Sequence, residues 1–384
     1  MTINDPIYLD YHAHAPIDPR VVSVLTHALN ELDANPHSSH RHGQRARDAV
    51  EACRRDVASL VGVEASEIVL LSGATEANNL AIRGLAATIR AGDQVRLLIG
   101  AGEHPSVIAA AEAVPNARID LIPLNAEGTA DLAALDRLLE KGADIVSVAG
   151  ANHEIGTIQP LSQISQRARA AGAILHSDLA QCAGKIPIDG TLLDAASVSA
   201  HKFGGPVGIG ALVIRRRLRR RLQPMMVGGG QEGGLRAGTV APALCAAFGA
   251  ACRIAIDEMD EEARRVAGLR DELHASLAAV GGLFVNGGAP KLPGNLNISF
   301  ADVDGEALVM RVGDRVSIST GSACTSTSLS PSHVLAAIGV TGRRAEGAIR
   351  LGLGRSTTAA EVAETARIVT EAVIALRATL RRVA

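Results

Sequence analysis

A chain of 384 residues, 47% hydrophobic but only 2% aromatic, must build its core from Ala, Val, Leu and Ile, and it is long enough for one large and one smaller folded unit. Its formal net charge of −2 gives no global pull toward nucleic acid or anionic lipid. The five cysteines, Cys53, Cys182, Cys245, Cys252 and Cys324, lack close metal-type pairs, which argues against a disulfide framework and a zinc site.

The opening MTINDPIYLDYHAHAP lacks the basic-then-apolar pattern of a secretory signal, and no apolar stretch is long enough to cross a bilayer. We therefore expect a cytoplasmic protein with reduced thiols and no membrane partner. From about residue 43 helical and strand patterns alternate. GQRARDAVEACRRDVASLV (43–61) has the period of an amphipathic helix, EIVLLS (67–72) that of a short buried strand, and GATEANNLAIRGLAATIR (73–90) that of a turn and helix. Strand patterns follow at QVRLLIG (94–100), ARIDLIP (117–123), DIVSVAG (144–150), AILHSD (173–178), ASVSA (196–200) and IGALVIR (209–215). The helical stretches LAALDRLLEKG and LSQISQRARAAG separate several of them. This order predicts an α/β fold with a mostly parallel large sheet, right-handed crossovers and a ligand site at the strands' carboxyl ends. An arginine run from Arg215 to Arg221 reads either as a solvated strand end and turn, or as a docking patch for an acidic protein or tRNA.

From about 242 the pattern changes. PALCAAFGAACRIAIDEMDEEARRVAGLRDELHASLAAV reads as one long helix or a broken pair, with Cys245 and Cys252 as small apolar core residues. NLNISF, RVSIST and AIRLGL then read as strands alternating with helices. We expect an N-terminal segment (1–15) packing with the small domain, a large domain (16–250), and a small α/β C-terminal domain (251–384) that carries the Cys324 loop.

Four stretches carry chemistry. SGATEANN (72–79) follows a strand and opens a helix, so the amides of Ala74 and Thr75 offer a phosphate site. In HSDLAQCAGK (176–185), Asp178 ends an apolar strand, where a carboxylate caps a helix or holds a proton on a heterocycle nitrogen. In SAHKFGGPVGIGAL (199–212), Lys202 lies between an apolar strand and a tight glycine turn; a desolvated lysine there can form a Schiff base, and Ser199 and His201 can reach the same phosphate as Thr75. In ISTGSACTSTSLSPSHV (318–334), Cys324 sits among Gly, Ser and Thr with no apolar periodicity, the setting of an exposed, reactive thiol.

Together these motifs resemble the cysteine desulfurase family, in the NifS/IscS-like group with a long cysteine loop, which has the aminotransferase-type fold of pyridoxal-phosphate (PLP) enzymes. The resemblance runs nearly end to end, through YLDY, NPHSSHRHG, SGATEANNLAIRG, Glu103–His104, NHEIGTIQP, HSDLAQCAGK, SAHKFGGPVGIGAL, GGGQEGGLRAGT, NLNISF, GSACTSTS and IRLGLGR. It implies that Lys202 carries the cofactor and moves protons, that His104 stacks on its ring, and that Asp178 and Gln181 meet its nitrogen and phenolic oxygen. It also implies that Ala74, Thr75, Ser199 and His201 hold the phosphate, joined by Thr239 of a second subunit in a homodimer. Arg350 would pair with the substrate carboxylate in two-pronged fashion, with Asn35 nearby. Cys324 would accept sulfur from L-cysteine as a persulfide, leaving alanine, for delivery to a sulfur-acceptor protein, an iron–sulfur scaffold or a sulfur carrier. No direct nucleic-acid contact is expected.

The chain departs from the family pattern at His153, which stands where a second Asn near the cofactor is usual, and at His12, His14 and Ala15, where small and hydroxyl residues are usual. It also stops at RRVA, where housekeeping members carry a tail that helps dock the scaffold protein. Two other readings compete. A selenocysteine lyase or aminotransferase-like enzyme would share the fold, although an aminotransferase has no need of Cys324. A PLP-binding partner protein that has lost turnover has no need of Lys202, Asp178, His104, Arg350 and Cys324 together.

Overall fold

A computed structural model describes residues 5–89, 94–320 and 332–383. The strands, in chain order, are β1 (Ile7–Tyr8), β2 (Ile68–Leu71), β3 (Val95–Gly100), β4 (Ala117–Ile122), β5 (Ile145–Ser147), β6 (Ile174–Asp178), β7 (Ala195–Ser199), β8 (Gly210–Ile214), β9 (Leu283–Val285), β10 (Asn295–Phe300), β11 (Val316–Ser317), β12 (Ser319–Thr320) and β13 (Ala348–Gly352).

Seven strands form the large sheet in the order β2-β8-β7-β6-β5-β3-β4. All run parallel except β8, which is antiparallel to both of its neighbours. Helices cover both faces, so the inner strands are buried on both sides, as parallel sheets require, while the edge strand β4 keeps Arg118 and Asp120. Leu70, Leu98, Val146, Leu175 and Val213 face one core, with the helix Arg41–Val61 and the first half of the helix Pro242–Ala278. Val69, Leu71, Leu97, Ile99 and Leu212 face the other, against the helices Ala74–Ala86 and Pro105–Glu112.

The small sheet is antiparallel, ordered β12-β13-β10-β9. It has its own core, to which the far half of Pro242–Ala278 contributes Val266, Leu269, Leu273 and Leu277. The stretch 242–278 is thus one unbroken helix of 37 residues whose two halves serve two cores. RVSIST, expected as one strand, is two. Val316–Ser317 pairs with β1 near the N-terminus and Ser319–Thr320 pairs with β13, because the N-terminal segment, more than 300 residues away, captures the first half. That segment continues past the small sheet, bridges Asp10 to Gly352, and delivers Tyr11 and His12 toward the large sheet. A β-carbon on Gly354 would overlap the Tyr11 ring, which explains the glycine in GLGR. No helix among the described residues is long and apolar enough to cross a membrane.

Candidate active site

The turns after β2, β3, β5, β6 and β7 converge on one cavity of about 280 Å³. It lies at the carboxyl ends of the strands, near the switch point where β3 is followed in sequence by β4 on one side and β5 on the other.

At one end of the cavity, Ala74 and Thr75 occupy the first turn of the helix Ala74–Ala86, whose leading amides have no partner within the helix. Ser199 Oγ and His201 Nδ1, 2.8 Å apart, face the same end. Burial, helped by the Lys202 charge, pushes the His201 ring down to about 4. Gly210 must be glycine here, because a β-carbon would meet Val198 O and the backbone of Gly73. The strand β8 can therefore run hard against the turn that presents Ala74.

Asp178 lines the same cavity. Its Oδ1 accepts from the Ala180 N–H at 2.9 Å, a local turn bond, and its Oδ2 accepts from Asn78 Nδ2 at 2.8 Å. The second Asn78 N–H goes to Ser106 Oγ at 2.9 Å, and Ser106 Oγ lies 2.8 Å from His104 Nδ1. Nδ1 also accepts from Ser106 N at 3.1 Å, so the neutral His104 ring carries its proton on Nε2. Burial outweighs the nearby Asp178 and holds His104 below the usual imidazole range. One amide therefore orients both the carboxylate and, through a serine, the imidazole.

Lys202 follows β7 and lines the cavity; its Nζ donates to the carbonyls of His12 and Ala13, each at 2.8 Å. Gln181 is held on the same peptide, its Nε2 donating to His12 O at 2.9 Å. Its Oε1 is 3.0 Å from Lys185 Nζ, a lysine that burial and the Lys202 charge push down to about 7.

Arg350 reaches the cavity from the centre of β13 and is 2% exposed. Its Nη1 donates to His153 O at 3.0 Å and its Nη2 to Asp10 Oδ1 at 2.9 Å, while Nε is buried without a partner. His153 packs edge-on against His104, with ring centroids 5.2 Å apart, and 6.4 Å from the His333 ring. Burial first, then the neighbouring His104 and Arg350, hold His153 well below the usual range. Its Nε2 lies 3.6 Å from Glu154 Oε1, which is too long for a hydrogen bond, and with a neutral ring it is not an ion pair. Glu154 is itself pushed up to about 7 by burial, although Ser332 Oγ donates to it at 2.5 Å.

Of the expected site residues, the cavity gathers Lys202, His104, Asp178, Gln181, Ala74, Thr75, Ser199, His201, His153 and Arg350. Two are elsewhere in the single chain. Asn35 is exposed, its side chain accepting from His37 N at 2.9 Å, and Thr239 is exposed on a neighbouring surface. Cys324 lies outside the described residues. Several participants escaped sequence reasoning: Asn78, Ser106, Asp10, Lys185, Glu154 and His333. The signal for Asn78 is an amide set among the apolar residues of ATEANNLAIRGLA, which the structure buries fully; the others had none that spacing reveals. Much of the arginine run is spent internally. Arg215 pairs with Glu67, Arg217 with Asp194, Arg216 bonds Ser66 Oγ, and Arg219 bonds the carbonyls of Ser66 and Ile68. Among the described residues no group of three or more His, Cys, Asp or Glu could hold a metal.

Three comparisons bear on this arrangement. Residues 7–364 match the family model described as aminotransferase class-V. The chain is 45% identical over 379 residues to the cysteine desulfurase IscS of an Anaeromyxobacter species, covering 97% of this chain and 93% of that protein. It is 40% identical to the mitochondrial cysteine desulfurase of Arthroderma benhamiae, covering 97% and 76% respectively. Among solved structures, the NifS-like protein from Rickettsia africae superposes with a TM-score of 0.86 at 29% identity, covering 96% of this chain and 99% of that one.

Proposed function

Because the chain belongs to the aminotransferase class-V family, we infer that it is a PLP-dependent cysteine desulfurase that passes sulfur from L-cysteine to Cys324 and leaves L-alanine. The observation that carries this reading is a single cavity that collects a lysine, a strand-end carboxylate, a helix N-terminus and a buried arginine.

The residues fit the cofactor. A phosphate has the leading amides of Ala74 and Thr75 with Ser199 and His201, and a pyridine nitrogen has Asp178 in the same cavity. Bound there, PLP supplies an electron sink for negative charge at the substrate α-carbon. Lys202 would hold it through Nζ, and Asp178, fixed by Ala180 and Asn78, would keep a proton on the ring nitrogen. One Gln181 N–H is used on His12 O, and the other remains for a phenolic oxygen. His104 would stack on the ring, oriented through Ser106. Arg350 would take the substrate carboxylate, and its partnerless Nε–H is a donor left for it. Lys202 would also move protons at the substrate α-carbon.

In the transfer, the Cβ–S bond of cysteine breaks, an S–S bond forms on Cys324, and the proton balance is completed on the methyl group of alanine. Atoms balance without an outside oxidant, and thiolate fraction and access set the rate. The chain on both sides of the Cys324 segment reaches the site: Ser319 Oγ donates to Asp10 at 2.7 Å, and His333 Nε2 lies 2.9 Å from Glu103 O. The working form in this reading is a cytoplasmic homodimer in which the partner subunit's Thr239 completes the phosphate site. The persulfide then goes to an acceptor protein.

The test is to incubate the purified yellow protein with L-cysteine and measure alanine and sulfide together. Borohydride is expected to fix the cofactor to Lys202, and label on another lysine removes the assignment. Cys324→Ser is expected to retain cofactor but lose sulfide release; turnover near the wild-type rate rules out the sulfur relay.

A further inference from the structure

His12 and Gln181 meet at a point where the direction of every hydrogen bond can be deduced. The Gln181 amide lies between two groups of fixed polarity. Its Nε2 is 2.9 Å from the His12 carbonyl, which can only accept, and its Oε1 is 3.0 Å from Lys185 Nζ, which donates. Turning the amide over would oppose like groups on both sides, so Oε1 is the acceptor. It also lies 3.1 Å from His12 Nδ1, which must therefore carry the ring proton. A neutral imidazole has one N–H, so His12 Nε2 is a bare lone pair. That atom is buried and has no hydrogen-bond partner, on a side chain that is 2% exposed and lines the cavity.

We propose that His12 is a substrate-recognition residue, whose Nε2 accepts a hydrogen bond from the amino group of the incoming amino acid. The inference rests on the desulfurase reading of the site. The amino group is the substrate donor that must arrive where Lys202 Nζ stands, and that nitrogen is 2.8 Å from the His12 carbonyl. His12 and Lys202 also line the same cavity. Burial, then the charges of Lys185 and Arg350, hold the ring well below the ordinary imidazole range. It accepts a hydrogen bond and does not take the proton.

Two measurements test this. In protein labelled with ¹⁵N-histidine, the His12 signals are assigned by their loss in His12→Phe, or in His12→Gln should the phenylalanine variant not fold. A protonated Nδ1 and bare Nε2 are expected, and the opposite tautomer overturns the proposal whatever the enzyme's activity. The holoenzyme is then titrated calorimetrically with L-alanine, which has the amine but no thiol, and with 3-mercaptopropionate, which has the thiol and carboxylate but no amine. His12→Phe is expected to weaken L-alanine about tenfold and leave 3-mercaptopropionate unchanged. Parallel weakening of both assigns His12 to packing, weakening of the thiol compound alone assigns it to sulfur, and no change leaves Nε2 idle; each of these overturns the proposal. A wild-type holoenzyme that binds neither compound sinks the desulfurase reading together with it, which separates that failure from a failure at His12 alone.

Discussion

His153 is a ring that could titrate near neutral pH, at a position where the family resemblance implies an amide, but its surroundings remove that option. Burial and the flanking His104 and Arg350 keep it uncharged. His153→Asn is therefore expected to keep desulfurase activity within about tenfold, a barrier change of about 1.4 kcal/mol. The pH–rate profiles of the two proteins are expected to superimpose above pH 6.5, as turnover measured across pH will show. Its neighbour Glu154 behaves differently, because burial raises it from 4.5 to about 7. An acid raised in the folded state binds its proton there while the unfolded chain has released it. Its neutral form thus adds stability that is present below pH 4.5 and lost as pH rises through 7. The full shift corresponds to roughly 3 kcal/mol. Glu154→Gln, which still accepts from Ser332, is expected to raise the thermal midpoint at pH 8 and change little at pH 5. Equal shifts at both pH values would show that the carboxyl does not titrate in this window.

Strand ends do most of the positioning at the scale of elements. Five parallel strands deliver their turns to one cavity, and β13 brings Arg350 from the other sheet. The N-terminal segment joins the two, and its passage depends on absent side chains at Gly352 and Gly354. Gly354→Ala is expected to push Tyr11 aside and cost about 1–3 kcal/mol, by overpacking. Because Tyr11 precedes His12, substrate affinity is expected to fall with stability. Denaturant melts and a cysteine titration read both, and an unchanged melting curve would show that the segment yields freely.

Two apolar cores share one 37-residue helix at the scale of the molecule, and the cavity lies where residues from both sheets meet. The site as one chain presents it lacks Thr239, which sits exposed on a neighbouring surface. If a second copy supplies it, Thr239→Ala is expected to weaken cofactor retention without altering secondary structure, and sedimentation should give a dimer. An active, cofactor-loaded monomer would exclude shared sites.

Much of this was readable from local pattern. Short, mostly apolar runs of three to six residues separated by amphipathic helices specify a parallel sheet with covered faces, because backbone pairing and burial leave few alternatives. That Lys202, Asp178 and the Ala74–Thr75 turn meet in one cavity was legible because each sits where a strand ends, and ligand sites of such sheets lie at strand ends. What local pattern could not supply was partnership across distance. Asp10 meets Arg350, 340 residues away, Asn78 spans Asp178 and Ser106, and Gln181 fixes the His12 proton. RVSIST divides between two sheets for the same reason. Sequence period records which face of an element is buried; only the assembled tertiary structure decides which polar groups are buried together, and so which proton each of them must hold.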